Sequence, residues 1–354
     1  MTKIYQRYVG WTYFKNVFII FAGLVLFYAG VDYITNVKDL PESANLQLLY
    51  VSLNALTAIN YALPLSLVFA MIVSKFAMIR SNELICFYAA GISKKELLLP
   101  LFGIAMILSL VYIGLNFTPF AYAYEYRTNL LKNNRLAPIS EELFLKYGQS
   151  YIYIAKLDPL KQEADGVKIF DVKESQLLRT IEAKRAFFRN DIWELRDGKI
   201  TTKPQAKSLA DSGLKIESFG KMEALEGFKP KIIENTHQGD IALSIVDAWD
   251  TMEFFNSQSL DTTTIKSKLY TMILFPLFAP LMVVILYYYL PASGRFFNLA
   301  FLSFVFVFIT LCMWGVLFVL TKLSQASVIL PEFGIALPIL LMAFISLWLH
   351  HKSK

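Results

Sequence analysis

The residues best placed for specific work lie in one stretch, Arg80-Ser81-Asn82-Glu83-Leu84-Ile85-Cys86-Phe87-Tyr88-Ala89-Ala90-Gly91-Ile92-Ser93, set between two long apolar runs. Their chemistry is recognition rather than bond making. Glu83 offers a carboxylate in what would be the first turn of a short helix, where an acid meets the positive end of the dipole. Leu84, Phe87 and Tyr88 follow at helical spacing and would present apolar surface beside it. Ser81 can cap the start of this helix and Gly91 supplies a stop. Ser93-Lys94-Lys95-Glu96 then reads as a capping box that opens the next helix. The pattern predicts a separate short helix over about 80–91 with a break on each side. Such a helix can receive a protein partner or lie on lipid headgroups, and these residues alone leave both open.

Reaction chemistry is not legible elsewhere. No G-x-x-x-x-G-K-[ST] loop occurs, so the chain cannot cradle nucleotide phosphates in the Walker manner. The three histidines are His237 and the pair His350-His351, without H-E-x-x-H or a Cys/His cluster at metal-ligand spacing. No G-x-S-x-G elbow is present. An enzyme, a metal site and a bound cofactor are therefore not expected. The two cysteines, Cys86 and Cys312, sit in the short helix and in an apolar run, so a disulfide framework is not expected either.

The elements that position this stretch are membrane helices. Of 354 residues, 56% are hydrophobic and only 18% charged, too apolar a balance for an ordinary soluble domain. Apolar runs near 14–34, 53–73, 97–117, 269–290, 296–320 and 333–349 each approach the roughly 20 residues a bilayer crossing needs. The first is long, lacks a small-residue cleavage pattern and is followed by another span, so it should remain as a membrane helix. Six spans in two groups of three are predicted, with residues 1–122 and 262–354 forming the membrane part.

Charge orients them. Lys3, Arg7, Lys15, Lys75, Arg80, Lys94, Lys95, Arg295, Lys352 and Lys354 fall on one side, against Lys38, Lys266, Lys268 and Lys322 in or near short segments of the other. By the positive-inside tendency both termini and the short helix are cytoplasmic. The net charge of +6 thus reports topology and is no argument for nucleic acid. Residues 123–261, nearly balanced in charge, would form an outside domain. Ser150 to Ala155, Gly166 to Val172 and Trp193 to Arg196 read as strands within about 143–234, with turns at Arg189-Asn190-Asp191, Asp158-Pro159, Asp165-Gly166, Asp197-Gly198 and Ser212-Gly213. An all-β sandwich, jelly roll or open barrel is expected. After it, the spacing of Leu243, Val246, Trp249 and Met252 or Phe255 predicts an amphipathic helix over 241–255, against either the membrane or the β domain.

Charges are sparse within the spans. Asn54, Asn60 and Asn116 are the stronger polar residues there, and interhelical hydrogen bonding is their commoner role. A proton- or sodium-coupled carrier usually keeps ionisable groups near the midplane, which disfavours a secondary lipid carrier. An envelope sensor or scaffold would need a cytoplasmic output domain, where this chain offers short loops.

Arg80-Ser81-Asn82-Glu83-Leu84 followed by Ala90-Gly91-Ile92-Ser93 resembles the S-E-L…A-x-G-[IFL]-[ST] motif of the LptF/LptG family, permease subunits of the lipopolysaccharide-transport ABC exporter. Arg7 to Gly10, Tyr151 to Ile154, Gly166 to Phe170, Trp193 to Leu195 and Ile345 to Leu349 extend the likeness over essentially the whole chain and resemble the LptG branch more than LptF. The resemblance implies a periplasmic β-jellyroll domain and an LptF partner. It further implies two copies of the ATPase LptB, which would bind the ATP, and handover of lipopolysaccharide to LptC and LptA. It makes Glu83, Leu84, Phe87, Tyr88 and Gly91 the coupling helix that seats on the ATPase. Some LptG proteins carry a lysine shortly before the acid ending span one, where this chain has Tyr28-Ala29-Gly30-Val31-Asp32, and another where Met272 stands. Asp32, Lys38, Lys266 and Lys268 are then the candidates for the phosphorylated headgroup. Cations on the outside face suit an anionic ligand, although lysines there also snorkel to lipid.

Overall fold

The computed structural model describes residues 3–133, 136, 140–173, 176–203, 213–230, 242–257, 261–295 and 298–352. His237, Ser212, Ile241, Phe296, Lys354 and the end of the expected strand region, 231–234, lie outside the described residues. The chain forms two compact units: Met1–Tyr124 with Ser244–Met252 and Asp261–Lys354, and Glu125–Leu243 with Glu253–Leu260.

Along the chain run helices α1 (Ile4–Thr35), α2 (Ala44–Arg80), α3 (Glu83–Ala89), α4 (Lys94–Leu115) and α5 (Ala123–Asn133). Strands follow: β1 (Ser140–Tyr147), β2 (Ser150–Asp158), β3 (Glu163–Lys173), β4 (Gln176–Arg189), β5 (Ile192–Thr202) and β6 (Lys215–Ala224). Then come α6 (Ile245–Ser257), α7 (Thr263–Ile273), α8 (Phe278–Tyr289), α9 (Leu299–Gln325) and α10 (Leu337–Lys352). A short 3-10 turn over Phe275–Leu277, containing Pro276, joins α7 to α8 as one broken span. Among the described residues six helical segments are long and apolar enough to cross a membrane, three on each side of the strands.

These helices overrun the apolar runs at their ends because capping and interfacial residues continue the hydrogen-bond ladder beyond the hydrocarbon-length core. They are not equivalent. In α2, 72% of the most apolar window is buried, against 6% in α1, so α2 is the interior post of the membrane unit. Leu67, Val68, Met71 and Ile72 of α2 pack with Tyr13 of α1, Leu97 and Leu101 of α4, and Phe278, Met282 and Val283 of α8. The outer faces of α1, α9 and α10 expose Phe18, Phe27, Phe304, Phe308, Phe344 and Leu347. Apolar residues all round a helix fit a hydrocarbon surround rather than water. Asn60 accepts a hydrogen bond from the Tyr112 hydroxyl at 2.9 Å across α2 and α4, and the Asn54 amide reaches the Ala29 carbonyl of α1 at 3.5 Å. The Asn116 amide instead donates to Tyr112 of its own helix.

The strands pair antiparallel in sequence order as one up-and-down sheet, β1 to β6. Asn190 and Asp191 both take positive φ, 50° and 67°, in the two-residue turn that joins β4 to β5. Asp165-Gly166 and Asp197-Gly198, read from sequence as turns, lie instead inside β3 and β5. Glycine is needed there for closeness: a Cβ on Gly198 would stand 2.4 Å from the Glu182 carbonyl, and one on Gly166 2.8 Å from the Ala155 Cβ. Leu143, Ile152, Ile154, Val167, Ile169, Ile181, Trp193 and Leu195 form this unit's buried face. The Trp193 indole donates to the Phe228 carbonyl at 2.6 Å. Glu194 accepts from Arg196 and Lys221, and these two cations hold its carboxyl below the usual range.

Candidate functional site

The end of the membrane unit that carries α3 also gathers both chain ends. Lys3, just before α1, pairs with Glu96 in the first turn of α4 at 2.9 Å. The Tyr288 hydroxyl at the end of α8 lies 2.9 Å from His350 Nδ1 at the end of α10. Between these contacts the chain leaves α2, turns, forms α3, turns again and enters α4.

Both turns are backbone devices. Asn82 adopts the left-handed region at φ 59°, which few residues other than glycine, asparagine and aspartate tolerate, and so lets α3 leave α2 at an angle. Ser81, expected to cap α3, does not: its hydroxyl is turned back onto the Ala77 and Met78 carbonyls of α2. At the other end Gly91 has φ +79°, its N–H bonds the Tyr88 carbonyl and the Ile92 N–H bonds the Phe87 carbonyl. That pair of bonds is a Schellman stop, and it requires the left-handed residue at this position. Ser93 and Glu96 then close the reciprocal capping box, each side chain bonded to the other's backbone N–H at 3.3 Å.

The seven residues of α3 divide into two faces. Leu84, expected among the presented residues, is only 1% exposed and belongs to the core of its own unit. Phe87 and Tyr88 are half-buried against that core, and the Phe87 ring lies 6.5 Å from Tyr5 of α1. Burial raises the Tyr88 phenol above its ordinary pKa. Glu83 is half-buried at the rim, its carboxylate accepting from the Tyr8 hydroxyl at 3.1 Å. The open face carries Ile85, 42% exposed, together with Cys86, Ala89 and Ala90. Those residues were missed from sequence, although their i, i+1, i+4 spacing marks them as one face once Leu84 is known to point inward. A large apolar side chain standing open between small neighbours suits a protein partner's pocket better than a catalytic role.

At the opposite end the expected headgroup residues are dispersed. Asp32, near the end of α1, accepts from the Tyr50 hydroxyl of α2. Lys38 is exposed in the turn that joins these helices. Lys266 and Lys268 are both half-buried on α7, but two residues apart they lie about 200° apart around the helix. Between them Ser267 is buried, donating to the Ser324 carbonyl at 2.8 Å and so fastening α7 to the end of α9. An aromatic group that the sequence did not single out lies nearer the middle of the spans: Tyr28 of α1 and Trp314 and Phe318 of α9 surround Tyr61 of α2, at centroid distances of 6.1, 6.4 and 6.4 Å. The i, i+4 spacing of Trp314 and Phe318 was its one visible signal.

The helix after the strands buries one side and leaves another open. Ala248 and Thr251 of α6 are buried, with Leu243 and Ser244 just before it, while Val246 and Trp249 are exposed. Ser244 caps it through Asp247, whose carboxyl burial pushes upward. Among the described residues no group of three His, Cys, Asp or Glu side chains could hold a metal ion.

A family model described as lipopolysaccharide export system permease LptF/LptG matches residues 7–352. No curated protein matches the chain.

Proposed function

Because the chain belongs to the lipopolysaccharide export system permease LptF/LptG family, a group of transport permeases rather than enzymes, we propose that it is the LptG-type subunit of an ATP-driven lipopolysaccharide exporter. In this reading it pairs with an LptF-type permease and a dimer of the ATPase LptB. Both termini and α3 face the cytoplasm, and the strands face the periplasm, where they pass lipid to LptC and LptA. ATP is bound by the partner, since the sequence holds no Walker loop of its own.

The observation that carries the proposal is the build of α3. It is held off α2 by Asn82 and off α4 by Gly91, anchored inward through Leu84, and left open along Ile85, Cys86 and Ala89. A helix lying on headgroups gains by spreading apolar area into the acyl boundary, whereas this one offers a single protruding aliphatic residue among small ones. Glu83 supplies the charged contact and Ile85 the apolar one, with Phe87 and Tyr88 setting the angle from beneath. Outside, Lys38, Lys266 and Lys268 meet the phosphorylated headgroup. Replacing Glu83 by Lys should abolish co-purification of the ATPase and ATP-driven lipid release while the chain still inserts and folds. Unchanged association and release in that variant would remove the coupling assignment.

A further inference from the structure

Lys75 reads in the sequence as one more cation at the cytoplasmic end of a span. The structure buries it: 3% of the residue is exposed. An ammonium so enclosed needs partners, because desolvating an unpaired charge costs more than folding can tolerate. Its partners are unusual. Nζ donates to the Tyr287 carbonyl and, at 3.1 Å, to the Leu290 carbonyl, and it stands 3.9 Å from the centroid of the Tyr287 ring. Two carbonyls and a ring face take up the donors of Nζ, so no carboxylate is required.

Those carbonyls are the C-terminal end of α8, where the helix dipole is negative and the last acceptors lack partners within the helix. The reason the end falls there is Pro291. In a continuing helix the N–H of residue 291 would bond the carbonyl of 287, and proline has none. Leu290 accordingly leaves the helix in an extended conformation, φ −69° and ψ 133°. Lys75 therefore supplies, from α2, the donor that Pro291 withholds from Tyr287.

The position of this bond matters because α2 leads directly into α3. The Tyr88 hydroxyl of α3 lies beside that of Tyr287, and each is buried without a well-formed hydrogen bond. We propose that Lys75 is a positioning residue that pins the end of α8 to α2 and thereby passes movement of α3 into the second half of the membrane unit. The proposal rests on the reading of α3 as the ATPase contact and adds the route by which that contact reaches the spans beyond the strands.

The test uses the complete exporter, with its ATPase and companion permease, reconstituted in lipopolysaccharide-containing vesicles. ATP hydrolysis and lipid release are measured together. Association and hydrolysis in the unaltered complex test the reading of α3; the ratio of lipid released to ATP hydrolysed tests Lys75. K75M should keep the ATPase bound and hydrolysing while that ratio falls at least about tenfold, since it removes both hydrogen bonds from Lys75 to the end of α8. K75R, which keeps charge and donors, should restore most of it. In K75M/P291A the helix can supply its own N–H to Tyr287, so this variant folds even if K75M alone does not, yet it should remain uncoupled. A ratio unchanged in K75M or in K75M/P291A, with only thermal stability reduced, would show that Lys75 merely satisfies a carbonyl and would overturn the proposal. Loss of ATPase binding in K75M/P291A would overturn it as well.

Discussion

The two ends of the membrane unit are built on different principles. At the end bearing α3, position is set by short fixed contacts to backbone: a left-handed Asn82, a Schellman stop at Gly91, a capping box at Ser93 and the buried Lys75 of α2 bonded to the last carbonyls of α8. At the other end, the candidate headgroup residues are long side chains on separate elements, Lys38 in a turn and Lys266 and Lys268 on different sides of one helix. Backbone devices fix a surface before any partner arrives and reduce the entropy lost on docking. Long cationic side chains on scattered sites suit a large, variable, anionic ligand that brings its own charges together. On the proposed function, the difference separates a contact that must transmit movement from one that need only hold and release.

That comparison is sharpened first at Leu84 and Ile85, neighbours with opposite roles. Leu84→Ala should cost about 2–5 kcal/mol of stability, as for other large-to-small changes in a packed core, read as a lowered unfolding midpoint in detergent. Ile85→Ala should leave stability within about 0.5 kcal/mol and weaken ATPase association. Equal stability losses would mean that α3 has no open face. Next in size is Gly91→Ala. Nothing lies within 4 Å of the added Cβ, so its cost is purely conformational, about 1–3 kcal/mol for a strained φ, and a smaller shift would place the stop elsewhere.

At the opposite end, Lys266→Ala and Lys268→Ala should each weaken binding of lipopolysaccharide, and the two effects should add to within about 0.5 kcal/mol, as independent sites do. Strong non-additivity would show that the two lysines converge on one phosphate and would erase the contrast between the ends. The smallest effect concerns the start of α7. Asp261 accepts from the Thr263 N–H at 2.9 Å and from its hydroxyl at 2.6 Å, and these bonds hold its carboxyl below the usual range. A depressed carboxyl contributes stability above its unfolded pKa and loses it as pH falls through the folded value. Amide exchange in the first turn of α7 should therefore quicken as the solution is acidified through the carboxylate range, and Asp261→Asn should flatten that dependence.

Much of this was legible because it is local. The capping box at Ser93-Glu96, the stop at Gly91, the hairpin at Asn190-Asp191 and the six apolar runs each depend on residues within one or two turns of one another. What sequence could not give is facing. The short helix α3 is apolar on both sides, so spacing groups Leu84 with Phe87 and Tyr88 without saying which side is enclosed. On α6 spacing likewise groups Leu243 with Val246 and Trp249, of which Leu243 is buried and the other two are open. The partners of Lys75 were hidden for a related reason: its acceptors are carbonyls 212 and 215 residues away, and backbone acceptors carry no sequence signature. The Asp-Gly pairs within β3 and β5 misled because glycine there answers to a neighbouring strand rather than to a turn.

The central claim, that the open face of α3 is the seat of the ATPase, has a built-in reporter. Cys86 is exposed on that face, and Cys312 is the other free cysteine. With Cys312 replaced by Ser, maleimide labelling of Cys86 is followed in the purified chain with its companion permease, before and after the ATPase is added. The account predicts fast labelling alone, protection of at least about tenfold on ATPase binding, and loss of ATPase association when Cys86 is labelled first, because one bulky group in a packed interface centre removes a contact of hot-spot size. Equal labelling rates with and without bound ATPase would contradict it.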